Sequence, residues 1–360
     1  MRRIVAFFLS MLCCSITFSQ PINQLIFLGD SLSDNGNLYQ TLLKVLPKSP
    51  PYYRGRFSNG FTWAEQVGTA YYKKYYANYH IYAVGGATTI LHNPITDPFI
   101  APATLEEQLY LYLTQFLFTD KTNTLFAIWI GGNDYFFDKE RNLEKLTNSV
   151  INKITWTIET LINQGGHYFL ILNLPNLAEV PFAKEMGLTE RLQTITYLHN
   201  KKLKLATNQL KNNHPDVKIV FIDVNNLLSD LLAHPDKYNE KYHTHITNTV
   251  EACWKGNVFL THSKQVLTNT LADAFKKAYI ENYHAVKKNF NTEALATIIL
   301  NSPDLAVAYS TENAYQAHLS PCKNADDYVF WDQLHPTAVI HQIFAQIVLQ
   351  TLDESLATTQ

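Results

Sequence analysis

The sequence predicts an α/β protein with a mainly parallel five-stranded sheet, and three observations carry that expectation. Short apolar runs at residues 25–28, 80–84, 125–130, 168–172 and 217–222 are each followed directly by glycine, asparagine or aspartate. Helical patterns lie between them, and regular strand–helix alternation is satisfied by right-handed crossovers between parallel strands. A chain of 360 residues with 46% hydrophobic content can bury one large core.

The first run, residues 25–28, is apolar throughout, as a strand covered on both faces should be, and stops at Gly29-Asp30-Ser31-Leu32-Ser33-Asp34. A turn there delivers a hydroxyl to the carboxyl end of a strand, where α/β sheets place their chemistry. Ser31 is the first nucleophile candidate; the same string also reads as a serine-rich cap or turn. Leu38, Leu42, Leu43 and Leu46 suggest a short helix ended by Pro47, and Pro50-Pro51 rules out a regular interior. Residues 52–60, with Arg54, Arg56 and a turn at Asn59-Gly60, read as a loop that scaffolds the nucleophile turn or, with its rings and two arginines, touches substrate, and a helix begins near Thr62.

The second strand, 80–84, runs into Gly85-Gly86-Ala87-Thr88. Paired glycines there signal positive φ or close approach, and they can expose a backbone N–H to a ligand. Pro94, Pro98 and Pro102 mark a loop before a helix carrying Leu105, Leu109, Tyr112 and Phe116. The third strand, 125–130, ends in Gly131-Gly132-Asn133-Asp134. Asn133 either forms a turn or donates its amide N–H to a developing anion. A helix over 143–164, a strand at 168–172, a helix over 188–212 and a strand at 217–222 complete the alternation.

Residues 253–322 break the rhythm. Helical patches at 266–283 and 292–299, and an exposed-looking stretch at 309–317, read as a lid that controls access or as a surface excursion. Near the end, Asp332 and His335 stand three apart in a loop before a helix over 338–348. An aspartate so placed can hold one imidazole nitrogen while the other faces Ser31. Taken alone, His335 also reads as a capping or surface histidine. The other twelve histidines have no matching carboxylate at a sheet end.

Residues 1–19 have the pattern of a secretory signal: Arg2 and Arg3, an apolar run from Ile4 to Ile16, then Thr17 and Ser19 before a cut ahead of Gln20, which leaves 20–360 as a single domain. The run is short for a membrane span, and a retained anchor is the alternative. Removing it also removes Cys13 and Cys14 and leaves Cys253 and Cys322, which in an exported chain form a disulfide or stay as two thiols. Such a bridge would close a loop of roughly seventy residues, for an idealised stabilisation of roughly 4 kcal/mol. No zinc-type spacing is present. A formal charge of -2 with 17% charged residues argues against nucleic acid as a partner. The 21 tyrosines, 20 phenylalanines and five tryptophans serve either the core or an apolar, membrane-facing substrate surface.

Four blocks, Gly29-Asp30-Ser31-Leu32-Ser33-Asp34, Gly85-Gly86-Ala87-Thr88, Gly131-Gly132-Asn133-Asp134 and Asp332-x-x-His335-Pro336, resemble in order those of the GDSL lipase/esterase family, the SGNH hydrolases. The resemblance spans nearly all of the mature chain. It implies a three-layer α/β/α sandwich with no cofactor, Ser31 as nucleophile, and Asp332 with His335 as the rest of a triad. The backbone N–H groups of Ser31 and Gly86 and the side chain of Asn133 would form the oxyanion hole. The family usually begins its second block with Asn, where this chain has Ile81, so one supporting hydrogen bond must come from elsewhere.

The long first block, Arg56-Phe57-Ser58-Asn59-Gly60, the late cysteine pair and the secretory signal are together similar to bacterial secreted phospholipases A, lysophospholipases and glycerophospholipid:cholesterol acyltransferases. That likeness implies a phospholipid or lysophospholipid substrate, a possible sterol acceptor, a secreted or periplasmic location, and a protease that activates by cutting between Cys253 and Cys322. A carbohydrate or short-chain esterase would use the same residues in an open polar cleft. A secreted binding module on a degenerate hydrolase fold is disfavoured because every chemical position is filled.

Overall fold

The computed structural model describes residues 22–90, 104–137, 140–255, 264–283 and 291–357. The expected signal at 1–19 and the loop prolines Pro94, Pro98 and Pro102 lie outside them. Five parallel strands, β1 (Gln24–Gly29), β2 (Asn78–Ile81), β3 (Thr124–Trp129), β4 (Tyr168–Leu172) and β5 (Lys218–Ile222), form one sheet in the order β2-β1-β3-β4-β5. The chain first builds outward from β1 to β2, then returns across β1 to β3 and continues the other way. That reversal creates a crevice at the carboxyl ends of β1 and β3, the place where such sheets bind ligands.

Alternation along β3 sets the layers. Phe126 faces one side, where Tyr112 of α3 (Leu105–Gln115) and Phe169 of β4 meet its ring at 5.4 and 5.5 Å. Trp129 faces the other, against Trp63 of α2 (Trp63–Tyr75) at 5.7 Å and Phe344 of the last helix at 6.0 Å. Helices α3, α5 (Leu143–Asn163) and α7 (Thr189–Asn213) pack in succession on the first face, and α2 and α13 (Ala338–Ala357) pair on the second. Helices α6 (Pro181–Glu185) after β4, and α8 (Val224–Ala233) and α9 (Pro235–Tyr242) after β5, are absent from the sequence reading.

Several boundaries move for physical reasons. The short first helix, α1, is only Asn37–Thr41, because Leu43 and Lys44 take positive φ of 54° and 64°. Strand β2 begins two residues early and ends at Ile81, although Tyr82 and Val84 still donate to Phe27 O and Gly29 O at 2.8 and 3.2 Å. Helix α13 runs nine residues past Val348.

The segment between Cys253 and Cys322 carries α10 (Lys264–Tyr283), α11 (Thr292–Asn301) and α12 (Pro303–Gln316), and the two cysteines are disulfide-bonded. At its base, β6 (Asn248–Ala252) and β7 (Tyr328–Phe330) form a separate two-stranded parallel sheet absent from the sequence reading. Of the stretch expected to be exposed, residues 309–316 belong to α12, where Leu305 to Glu312 and Ala314 are buried, whereas Tyr315, Gln316 and Ala317 are exposed as expected. Leu305, Ala308 and Tyr309 sit in a second apolar cluster with Leu38, Leu46, Phe57 and Trp331 from outside the segment and Leu295 and Ile299 of α11. Burial from both sides hides a helix that its own periodicity does not mark as amphipathic.

Candidate active site

The turn after β1 is fixed from several directions. A Cβ at Gly29 would stand 2.5 Å from the carbonyl oxygen of Trp129, so only glycine lets β1 and β3 approach as they do. The Gln108 side chain from α3 closes both backbone groups of Gly29, accepting from its N–H at 2.9 Å and donating to its oxygen at 2.8 Å. Beyond the turn, Asp34 accepts from the N–H groups of Gly36, Asn37 and Leu38 and, across the crevice, from Gly85 at 2.8 Å. Burial pushes the Asp34 carboxyl up to about 6, against the pull of those amides. Asp34 thus braces α1, while the Ser33 hydroxyl accepts from the Trp63 indole at 3.1 Å. Asn37 Nδ2 donates to Ile81 O and Ala83 O, supplying the support that Ile81 lacks.

Ser31, at the mouth of this turn, lies 3.1 Å from His335 Nε2. The other ring nitrogen, Nδ1, meets both oxygens of Asp332 at 2.9 and 2.8 Å. The Asp332 Oδ1 also accepts from the backbone N–H groups of Leu334 and His335, each at 2.8 Å, so the short loop is wound around its own carboxylate. All three residues are buried. Sequence reasoning missed the group that completes Asp332: the Tyr52 hydroxyl donates to Oδ2 at 2.6 Å. Its signal was an aromatic next to Pro50-Pro51 in a loop assigned to scaffolding.

That scaffolding holds the histidine loop rather than the serine turn. The Phe57 ring lies 4.9 Å from the His335 ring, Ser58 Oγ donates to Pro336 O, and Asn59 Oδ1 accepts from the first amide of α13. Arg56 pairs with Glu65, whose carboxylate also closes the capping box at Thr62.

Gly86 and Asn133 stand on the other rim of the crevice. Gly86 has φ +75°, which turns its N–H into the site. Asn133 opens the helix α4 (Gly132–Phe137) and donates to Ala87 O at 3.0 Å, while Asp134 behind it accepts from the N–H groups of Thr89 and Ile90. The Ser31 N–H belongs to the turn residue that carries the hydroxyl. The structure therefore gathers Ser31, Gly86, Asn133, Asp332 and His335 at the ends of β1, β2 and β3 and beside β7.

One residue in this crevice was not foreseen. Asp304, at the start of α12, accepts from Gly86 N–H at 2.8 Å, lies 3.4 Å from Asn133 Nδ2, and contacts His335 Nε2. Burial would lower the His335 pKa, but Asp332 and Asp304 outweigh it and push it up to about 10. Burial likewise tends to raise Asp332, and His335 and the Tyr52 hydroxyl hold it below its ordinary value. Nearby Asp30 is pushed up to about 8, by burial first and the Asp304 charge second.

Beside these groups lies an apolar pocket, partly open to solvent, lined by Phe136, Leu174, Leu177, Val180, Leu228 and Phe344. Ser31, Asn133 and His335 face its mouth. Among the described residues, no group of three or more His, Cys, Asp or Glu side chains is arranged to hold a metal ion, and no helix is long and apolar enough to cross a membrane. Buried His199 and His341 are pushed down to about 3 by desolvation and serve structure: Tyr135 bonds the first, and the Trp63 N–H donates to the second.

A parallel sheet with serine, histidine and aspartate at its carboxyl end defines a class, and comparison with known proteins defines the family. Residues 25–348 match the GDSL-like lipase/acylhydrolase model, and the chain belongs to that family. It is similar to a phosphatidylcholine-sterol acyltransferase of Aeromonas hydrophila, 29% identical over 91% of this chain and 90% of that protein. A thermolabile hemolysin of Vibrio parahaemolyticus is 23% identical over 92% of this chain and 64% of its own length. Among solved structures, Est24, a carbohydrate acetylesterase from Sinorhizobium meliloti, aligns at 20% identity and TM-score 0.35 over 55% of this chain and 83% of that one.

Proposed function

We propose that the chain is a secreted serine ester hydrolase that releases fatty acid from lysophospholipids, with diacyl phospholipids as further candidate substrates, through an acyl-Ser31 intermediate. The observation that carries this reading is the Ser31–His335–Asp332 relay at the mouth of an apolar pocket. In the first step Ser31 Oγ forms a bond to the ester carbonyl carbon while its proton passes to His335 Nε2. Gly86 N–H, Ser31 N–H and Asn133 Nδ2 stabilise the tetrahedral oxyanion. Collapse breaks the bond to the alcohol, which takes the proton from His335. Water then attacks the acyl carbon and gives its proton to His335 Nε2; collapse breaks the bond to Ser31 Oγ, which takes that proton back, and releases the fatty acid.

An acyl chain fits a pocket walled by leucine, valine and phenylalanine, which supports lipid over carbohydrate. A second reading has its own support: the Aeromonas relative is named a phosphatidylcholine-sterol acyltransferase. On that reading a sterol hydroxyl replaces water in the second step. Secretion rests on residues 1–19, and activation on proteolysis between Cys253 and Cys322. The test is product analysis on lysophosphatidylcholine, diacyl phosphatidylcholine and a short-chain ester, with and without cholesterol, for intact and cut chain. Free fatty acid as the main product supports hydrolysis; cholesteryl ester as the main product supports transfer. Ser31→Ala is expected to abolish both, and substantial remaining activity in that variant would overturn the reading.

A further inference from the structure

Among the described residues, four buried carboxylates outside the proposed triad lie near the crevice: Asp30, Asp34, Asp134 and Asp304. Asp134 is spent on the N–H groups of Thr89 and Ile90. Asp34 is spent on backbone N–H groups and Asp30 on its own turn, through Leu32 N–H. Asp304 alone comes from the disulfide-bounded segment, and alone touches the reacting groups. We propose that Asp304 is an intramolecular ligand of the oxyanion hole, standing where the carboxylate of a fatty-acid product would stand, and that it holds the folded chain in a self-inhibited state. The inference rests on the assignment of Ser31 and His335 above and concerns the regulation of that same site.

Two contacts make the block double. One Asp304 oxygen, Oδ2, takes the Gly86 N–H and lies within reach of Asn133 Nδ2, so the anion-stabilising donors face a carboxylate that is already present. The other oxygen, Oδ1, meets His335 Nε2. A ring nitrogen facing a carboxylate carries its proton, and Nδ1 is likewise committed to Asp332. With protons on both nitrogens His335 has no lone pair to accept the Ser31 proton, although Oγ is in reach at 3.1 Å. A substrate carbonyl therefore finds neither its base nor its oxyanion donors.

The plug is set firmly. Leu305 packs against Gly86, where even an added Cβ would come within 3.0 Å of its side chain. Two turns further on, Glu312 accepts from the Lys48 N–H at 2.5 Å, anchoring α12 to the loop that also carries Tyr52. Helix α12 joins Cys322 directly through described chain, so a cut before α11 leaves Asp304 covalently attached. On this inference the site is freed when α12 withdraws, and a cut between Cys253 and Cys322 activates by permitting that withdrawal.

The experiment measures the rate at which a fluorophosphonate labels Ser31 in uncut wild type, Asp304→Ala and the isosteric Asp304→Asn, with the labelled peptide mapped and the fold checked by circular dichroism. Removing the plug is expected to raise the labelling rate on the order of 100-fold, the size of effect seen when oxyanion donors are gained or lost. If Asp304→Ala does not fold, Asp304→Asn carries the test, because it keeps the shape and removes the charge. Labelling of Ser31 at the same rate in wild type and folded variants, or more slowly in the variants, overturns the inhibitory role and leaves the hydrolase reading standing. Absence of Ser31 labelling in every form, cut chain included, overturns the hydrolase reading and this inference with it.

Discussion

Asp332 has its acceptor capacity filled by two backbone N–H groups, the His335 ring and the Tyr52 hydroxyl, and each bond restricts where the imidazole can point. On the proposed mechanism, Tyr52 acts through Asp332 as a positioning residue. Tyr52→Phe is expected to lower kcat several-fold with little change in KM and to shift the acidic limb of the pH–rate profile, because Asp332 loses a donor that favours its charged form. An unchanged profile would assign Tyr52 to packing alone. Asn133→Ala, measured in the Asp304→Ala background, is expected to reduce kcat on the order of 100-fold to 1,000-fold. At Gly29 the prediction concerns stability: Gly29→Ala drives a methyl onto the Trp129 carbonyl and is expected to cost about 1–3 kcal/mol, read by denaturant melts. Ser31, Gly86, Asn133, Asp332 and His335 were visible in the sequence because each sits in a short block at a strand end. Tyr52 and Asp304 were not, since nothing local to either residue says which partner it meets about 280 or 30 positions away.

Buried parallel strands read as continuous apolar runs, and so β1, β3, β4 and β5 were legible almost to the residue. Strands β6 and β7 were not: Asn248-Thr249-Val250-Glu251-Ala252 is polar and short, and its pairing is made by distant chain beside the disulfide. Helix α12 was misread because Ser310, Thr311 and Glu312 look like a solvated face, yet tertiary contacts cover them. Glu312 gives that burial a pH dependence. Burial pushes its carboxyl up to about 8, against the pull of the Lys48 amide and ammonium. A carboxyl raised on docking stabilises the docked state fully below its ordinary value near 4.5, and that contribution is lost as pH rises through about 8. Hydrogen exchange of α12 is therefore expected to accelerate between pH 5 and 9 in wild type more than in Glu312→Gln; equal acceleration would place the pH response elsewhere. Replacing Cys253 and Cys322 by serine is expected to lower the melting temperature, with an idealised loss of roughly 4 kcal/mol for a loop of this length.

Across the whole molecule, the reversal of strand order at β1 and β3 opens one crevice, and the chain brings everything to it. The turn after β1 presents Ser31, the ends of β2 and β3 present Gly86 and Asn133, and the returning C-terminal segment presents Asp332 and His335. The insertion then covers the same crevice from outside with α12. The proposed reaction class rests on this convergence, and the proposed lipid preference rests on the apolar pocket beside it. The most direct test of that account is to quench a form of the chain that is turning over lysophosphatidylcholine and map the acyl mass by peptide mass spectrometry. The account predicts an acyl group on the peptide containing Ser31, absent from Ser31→Ala. An acyl group on another residue, or turnover by Ser31→Ala at the wild-type rate, would contradict it.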